Sequence, residues 1–334
     1  MSLTRKVNAL LSFLDLSLVR KSLLYNWQTG EATPEQELLI SDDAAKYLTI
    51  QNPRLQELRE RYSTFQVKAS VAIVWTDDYV QSYGLQSFRG DNCYVWQTAD
   101  PNCAEINYCL TACYVKAMDS LSVLEKNQED GLFGVHTYII DSQLFSRDLL
   151  DSTVELHFLE KHLQLSRIED LNILDIGAGY GRLAYRAVKT FDNVSKYFCT
   201  DAVPESTFLS EYHVKFRGID DRVNVIPLDE IEKQIKYQKI DLAVNIHSFS
   251  ECSLDAIEWW ISLLASAEVK HLFIVPNACD HGGVKLALNS GEDFSALVEK
   301  YGYKLQVKAP KYEDPMVQKY GVSPTYYYLF QLEI

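Results

Sequence analysis

Three glycines at 177, 179 and 181 follow a short apolar run, Ile173-Leu174-Asp175-Ile176, and precede a helix-like stretch, Arg182–Lys189. Glycine lacks a Cβ, so the backbone turns tightly and passes close to a ligand, while the helix start behind it offers unpaired N–H groups. The glycines fall as G-x-G-x-G with Asp175 two residues ahead of Gly177, not as the G-x-G-x-x-G of dinucleotide binders. An anion at Asp175 suits a ligand ammonium or positive sulfur; its alternative is a structural carboxylate bonded to loop N–H groups. Asp201 ends the next apolar run, Tyr197–Thr200, 24 positions after Gly177. That is close to the roughly 20 residues separating a glycine turn from a ribose-binding acid, so Asp201 is expected to accept from ribose hydroxyls. A helix cap is the alternative, since Pro204-Glu205 opens a helix. Asp229 follows a third run, Val223–Pro227. It either accepts from a purine exocyclic amine or caps the helix beginning there.

The G-x-G-x-G spacing resembles motif I of class I S-adenosylmethionine (SAM) methyltransferases. A fourth strand candidate then delivers Asn245-Ile246-His247-Ser248-Phe249-Ser250-Glu251. The carboxyl ends of strands build the ligand crevice in an open α/β sheet, which places Asn245 among the cofactor contacts and His247 beside a transferred methyl. An alcohol must lose its proton as the O–C bond forms, and a histidine of near-neutral pKa suits that task. Glu251 orients His247, receives the proton itself, or caps the helix carrying Trp259 and Trp260. Upstream, Arg147 opens a helix; it holds a methionine carboxylate or an acceptor phosphate, or else pairs with Asp151 on the surface at i,i+4.

These residues need a scaffold, and the pattern supplies one. Strand candidates are Asn172–Ile176, Lys196–Thr200, Val223–Pro227, Asp241–Ile246, His271–Val275, Lys304–Lys308 and Tyr326–Leu332. Helical stretches lie between them at Arg182–Thr190, Glu205–Arg217, Leu228–Ile235, Ser253–Ser266 and Gly291–Tyr301. This alternation predicts an α/β, Rossmann-like seven-stranded sheet with helices on both faces, its last two strands forming an edge hairpin and the final strand antiparallel. Residues 1–145 read differently, as a mostly helical accessory region (Thr4–Asn26, Pro34–Tyr47, Pro53–Trp75, Ala104–Leu124) around an aromatic section, Tyr79–Asp100. Residues 146–334 form the catalytic domain. The accessory region covers the acceptor side or serves as a dimerisation module, which leaves a homo-oligomer open.

The chain has 334 residues, 47% hydrophobic and 23% charged, an ordinary globular composition. Its net charge of −14 without a basic run disfavours nucleic acid, because that field repels phosphate backbones. No apolar run reaches a membrane span, no signal-peptide pattern opens the chain, and Leu10–Leu24 reads as an amphipathic packing helix. Seven cysteines form no C-x-x-C pair; Cys109 and Cys113 share a helix face without a histidine at zinc-ligand spacing. Free thiols and a cytoplasmic setting are expected.

The blocks DSTVELHFLE, ILDIGAGYGRLA, CTDAVPEST, NIHSFSECSLDAIEWW, IVPNA and KYEDP…QKYGVSPTYYYLF together resemble the bacterial putative sugar O-methyltransferase family. The resemblance runs from about Gly131 to the C-terminus, with FRGDN at 88–92 a weaker extension. It implies a class I fold, S-adenosyl-L-methionine as methyl donor, and a hydroxyl acceptor on a sugar or glycosylated metabolite. Carried over, motif I falls on Asp175, Gly177, Gly179 and Gly181 and the ribose acid on Asp201. No paired carboxylates follow strand four, so no metal is expected. The rivals are an amine, peptide or polyketide acceptor, an idle SAM-binding scaffold and, less suited to the glycine spacing, an NAD-dependent dehydrogenase.

Overall fold

The computed structural model describes residues 38–70, 74, 84–90 and 105–333. The expected helix Thr4–Asn26, the packing helix Leu10–Leu24, Cys93 and Cys103 lie outside them, as does most of Tyr79–Asp100. Helices α1 (Asp42–Tyr47), α2 (Pro53–Thr64), α3 (Glu105–Met118) and α4 (Val123–Lys126) come first. A hairpin of β1 (Tyr138–Ile140) and β2 (Gln143–Phe145) leads into α5 (Arg147–Leu163). Then follow β3 (Leu171–Ile176), α6 (Arg182–Thr190), β4 (Val194–Thr200), α7 (Pro204–Phe216), β5 (Val223–Val225), α8 (Ile231–Ile235) and β6 (Leu242–Ile246). The chain closes with α9 (Leu254–Ser266), β7 (His271–Val275), α10 (Ser295–Lys300), β8 (Tyr303–Pro310), α11 (Pro315–Tyr320) and β9 (Tyr326–Leu332).

The main sheet has seven strands in the order β5-β4-β3-β6-β7-β9-β8. Strands β3 to β7 are parallel, and β9 runs antiparallel to both β7 and β8. This is the expected Rossmann-like sheet of the class I methyltransferase fold, with its reversed last strand. The order changes direction between β3 and β6, the position at which an open α/β sheet places its ligand crevice.

Both faces of the sheet are covered, and alternate side chains divide between two cores. Leu171, Ile173, Tyr197, Leu242, Val244 and Phe273 pack on one side with α3, α5 and α6. Leu174, Ile176, Phe198, Ala243, Leu272 and Ile274 pack on the other with α7, α9 and α10. The accessory region joins both cores: Tyr108, Ala112 and Val115 of α3 enter the first, Leu55, Leu58 and Tyr62 of α2 the second.

Several elements differ from the sequence reading, each for a local reason. Helix α2 stops at Thr64 rather than Trp75, where the Ser63 and Thr64 hydroxyls donate back to the carbonyls of Glu60 and Arg61. Ala104–Leu124 divides into α3 and α4 because Asp119 accepts from the amides of Val123 and Leu124 and starts a new helix. The β1–β2 hairpin escaped the pattern because its strands have three residues each; its turn sits on Asp141 and Ser142, both at positive φ. The link from β8 to β9 is not short: it folds back as α11, and Asp314 caps that helix through the Met316 and Val317 amides.

At the glycine turn, all three glycines have positive φ: 73° at Gly177, 56° at Gly179 and 84° at Gly181. A Cβ on Gly177 would lie 2.2 Å from Ser248 Oγ and 2.5 Å from Ser248 Cβ. The close approach at this position is therefore to the chain itself. Gly177→Ala is expected to destabilise the fold by ~2–4 kcal/mol, through backbone strain plus overlap with Ser248. Urea unfolding checks this; an unchanged midpoint would show that the turn does not need glycine.

Candidate functional site

The crevice between β3 and β6 is organised by Asn245, the fourth residue of β6 and fully buried. Its Nδ2 donates to the Ile176 carbonyl at 2.9 Å and to Ser248 Oγ, and its Oδ1 accepts from the Phe249 amide at 3.0 Å. Asn245, expected among the cofactor contacts, thus spends its amide joining the two strand ends. The next turn begins at His247, a non-glycine residue at φ 68° and ψ −34°, whose amide donates to Val275 O at 2.7 Å. Strain of this kind persists only where surrounding contacts impose it, and it clusters at functional sites. The ring is half-buried, and its Nδ1 is enclosed with no hydrogen-bond partner.

Burial, then the positive charge of Arg147, drive the His247 pKa down to about 3. The expectation of a near-neutral histidine is corrected: the ring is uncharged at every ordinary pH and a weak base. Glu251 does not cap α9, since Ser253 does so by accepting from the Ala256 amide at 3.1 Å. Glu251 Oε1 instead accepts from Asn277 Nδ2 at 3.0 Å, and Asn277 Nδ2 also donates to Asn289 Oδ1.

Asp201 stands at the carboxyl end of β4. Its Oδ2 accepts from the Gly179 amide at 3.0 Å and its Oδ1 from the Val203 amide at 2.9 Å. The Ala202 amide also bonds the carboxylate, which holds the glycine turn against the strand end. Burial pushes its pKa up to about 6 against those donated bonds. It is not the cap of α7, whose N-cap position is Val203 with no side-chain cap.

Asp175 is placed otherwise than expected. It pairs in register with Cys199, and its Oδ2 accepts from the hydroxyl of Tyr197, two residues earlier on β4, at 2.9 Å. The carboxylate leans back along the sheet rather than out over the strand ends, and neither loop amides nor the crevice mouth engage it in this bond. Burial raises its pKa to about 7. Asp229 lies in a 3₁₀ turn, Leu228–Glu230, and does not cap α8. Arg61 of α2 holds it by a two-pronged bond, Nε–Oδ2 2.9 Å and Nη2–Oδ1 2.8 Å.

Arg147 does pair with Asp151 at i,i+4, at 3.2 Å, but within the protein rather than on its surface. The pair belongs to a buried ionic cluster that the sequence reading missed. Lys311 Nζ donates to Asp151 Oδ1 at 2.6 Å and to the Val322 and Ser323 carbonyls. Arg182 makes a two-pronged bond to Glu155 and a third bond to Ser152 Oγ. Burial pushes Asp151 up, yet Lys311 and Arg147 hold it down at about 2. Arg147, Asp151, Arg182 and Lys311 all act electrostatically on His247. The signal available in sequence was the spacing of Asp148, Asp151 and Glu155, i, i+3 and i+7, which puts three acids on one face of α5.

The residues fit an adenosyl ligand in part. Asp201 keeps a lone-pair position for a hydroxyl, α6 starts behind Gly181 without a side-chain cap, and His247 Nδ1, just after β6, is a buried orphan polar atom. Asp175 and Asn245 serve the scaffold.

No family model matches the sequence, and no curated protein matches it either. Solved structures do. Similarity to the mitomycin 7-O-methyltransferase MmcR covers 56% of this chain and 57% of that one, at 18% identity and TM-score 0.38. The chain therefore spans little more than half of that enzyme's length. A SAM-dependent methyltransferase from Aquifex aeolicus matches 66% of this chain over 98% of its own, at 16% identity and TM-score 0.41. The [4+2]-cyclase SpnF matches 67% over 95%, at 13% identity and TM-score 0.42.

Asp175 gives a direct test of the site's electrostatics. Its folded pKa lies above that of the unfolded chain, so its contribution is complete near pH 4 and is lost as pH rises through about 7. Asp175→Asn is expected to exceed the wild type in stability by ~3 kcal/mol at pH 8, the gap closing towards pH 4. Urea unfolding at the two pH values checks it; equal stabilities at pH 8 would place the proton elsewhere.

Proposed function

We propose that this protein is a SAM-dependent O-methyltransferase acting on a hydroxyl of a sugar or glycosylated metabolite. The observation that carries the reading is the convergence at one crevice of a positive-φ glycine turn, Asp201 and the strained, half-buried His247. Residues 146–334 are the catalytic domain in this reading and residues 1–145 the accessory region, in a cytoplasmic setting. Among the described residues no helix is long and apolar enough to cross a membrane, and the five cysteines form no disulfide.

Bound S-adenosyl-L-methionine would supply an electrophilic methyl on a positively charged sulfur. Asp201 would accept from a ribose hydroxyl with its remaining lone-pair position, and the turn at Gly177–Gly181 would lie along the ligand. His247, already unprotonated, takes the acceptor proton late, as the hydroxyl turns acidic during O–C bond formation. A base this weak contributes modestly, so alignment of the acceptor carries most of the rate. Burial, then the charges of Arg147 and Lys311, keep the ring neutral, and Glu251, Asn277 and Asn289 form a hydrogen-bonded group of carboxylate and amides.

The low basicity of His247 favours one second reading, a neutral amine acceptor, which needs no base. His247→Ala separates the two. For a hydroxyl acceptor it is expected to lower kcat by ~10²-fold with SAM affinity nearly intact; full activity would leave the amine. Calorimetry with SAM and NAD side by side tests the cofactor: SAM binds and NAD does not. Tight SAM binding without turnover on any acceptor would instead indicate a scaffold.

A further inference from the structure

Helix α2 crosses the carboxyl ends of β4 and β5, on the side of the sheet where Asp201 and Asp229 stand. Three of its arginines are tied to acids of the catalytic domain. Arg54 bonds Glu211 through two nitrogens at 2.9 and 2.6 Å, and Arg59 bonds Glu205 at 2.7 Å. Arg61 bonds Asp229 through two nitrogens and Glu230 at 2.6 Å. Beside it, the buried Tyr62 hydroxyl accepts from the Leu228 amide at 2.8 Å, shares a hydrogen with Thr207 Oγ1 at 2.8 Å and lies 3.2 Å from the Asp201 carbonyl. One turn of α2 therefore links the ends of both strands.

The Arg61 bond differs from the other two in what it leaves available. A carboxylate has about four lone-pair positions, and a side-by-side guanidinium uses one on each oxygen. The outer position of each Asp229 oxygen stays free, and the pair is about a quarter exposed, 25% for Arg61 and 22% for Asp229. Those positions only accept. They suit a ligand N–H and repel a carbonyl oxygen, which distinguishes a 6-amino from a 6-oxo purine. Loss of Arg61 would free the carboxylate to rotate and would set its charge against that of Glu230.

We propose that Arg61 is a positioning residue of the nucleoside site: it holds Asp229 so that the free lone pairs meet the exocyclic amine of the bound adenosyl group. This rests on the SAM reading above and adds the accessory region as the part that sets purine specificity.

The test measures binding of S-adenosylhomocysteine and of S-inosylhomocysteine, which carries oxygen in place of the amine, to the full chain by calorimetry. Arg61→Ala is expected to weaken S-adenosylhomocysteine by about tenfold and to leave the weak inosyl ligand unchanged. Arg61→Lys, which keeps the charge without the two-pronged hold, falls between. Arg59→Ala removes a neighbouring ion pair of α2 and is expected to stay within about twofold of wild type. Unchanged or tighter adenosyl binding in Arg61→Ala, equal losses for both ligands, or the same loss in Arg59→Ala overturns the proposal while the cofactor reading stands. Wild-type protein that binds neither ligand sinks both.

Discussion

Two parallel strands that part at their carboxyl ends leave backbone groups without a sheet partner, and the structure depends on how these are satisfied. Asn245 does most of it. From a fully buried position it bonds the last carbonyl of β3, the Ser248 hydroxyl and the Phe249 amide. An amide that supplies both donors and an acceptor in one plane is suited to such a junction. Ser248 is thereby pressed against Gly177, which tolerates it only because glycine has no side chain. His247 is left between β6 and the 3₁₀ turn at positive φ, a conformation its own chemistry would not choose. The glycine turn, the serine and the strained histidine are one mechanical unit.

Around that unit charge is buried on an unusual scale. Asp148, Asp151 and Glu155 of α5 all lie inside; Arg147, Arg182 and Lys311 pair with Asp151 and Glu155, while Asp148 accepts from the Tyr180 hydroxyl and lies near Arg89. Burying such groups offers little net stability over apolar residues, because desolvation offsets the attraction. What the cluster does is set a field at His247 that disfavours its protonation. Lys311 belongs to the strand end before α11, and that segment is fastened in turn to α3 through Thr111 Oγ1 and the Val322 amide. Helix α3 and the C-terminal segment thus meet beside the same buried cluster.

Much of the fold is legible in the chain because each central strand must be apolar on both faces and each turn needs particular residues. The strand ends at Ile176, Thr200, Ile246 and Val275 follow directly from those runs. Site residues were less legible where two outcomes share one sequence signature. Asp175 has the motif position of a ligand contact, but its side chain leans back to Tyr197 because residues of one strand face alternate along it. Asp229 looks like a helix cap or a ligand acid, and only the docking of α2 assigns it to Arg61.

The sequence by itself determined the alternation of strands and helices, the glycine turn and the acid at the end of β4, because these depend on local conformation and on spacing along the chain. The tertiary structure alone decided the state of His247, the two-pronged hold on Asp229 and the buried cluster of Arg147, Asp151 and Lys311. Desolvation and ion pairing depend on what lies opposite in space, and Lys311 reaches Asp151 across 160 positions of chain.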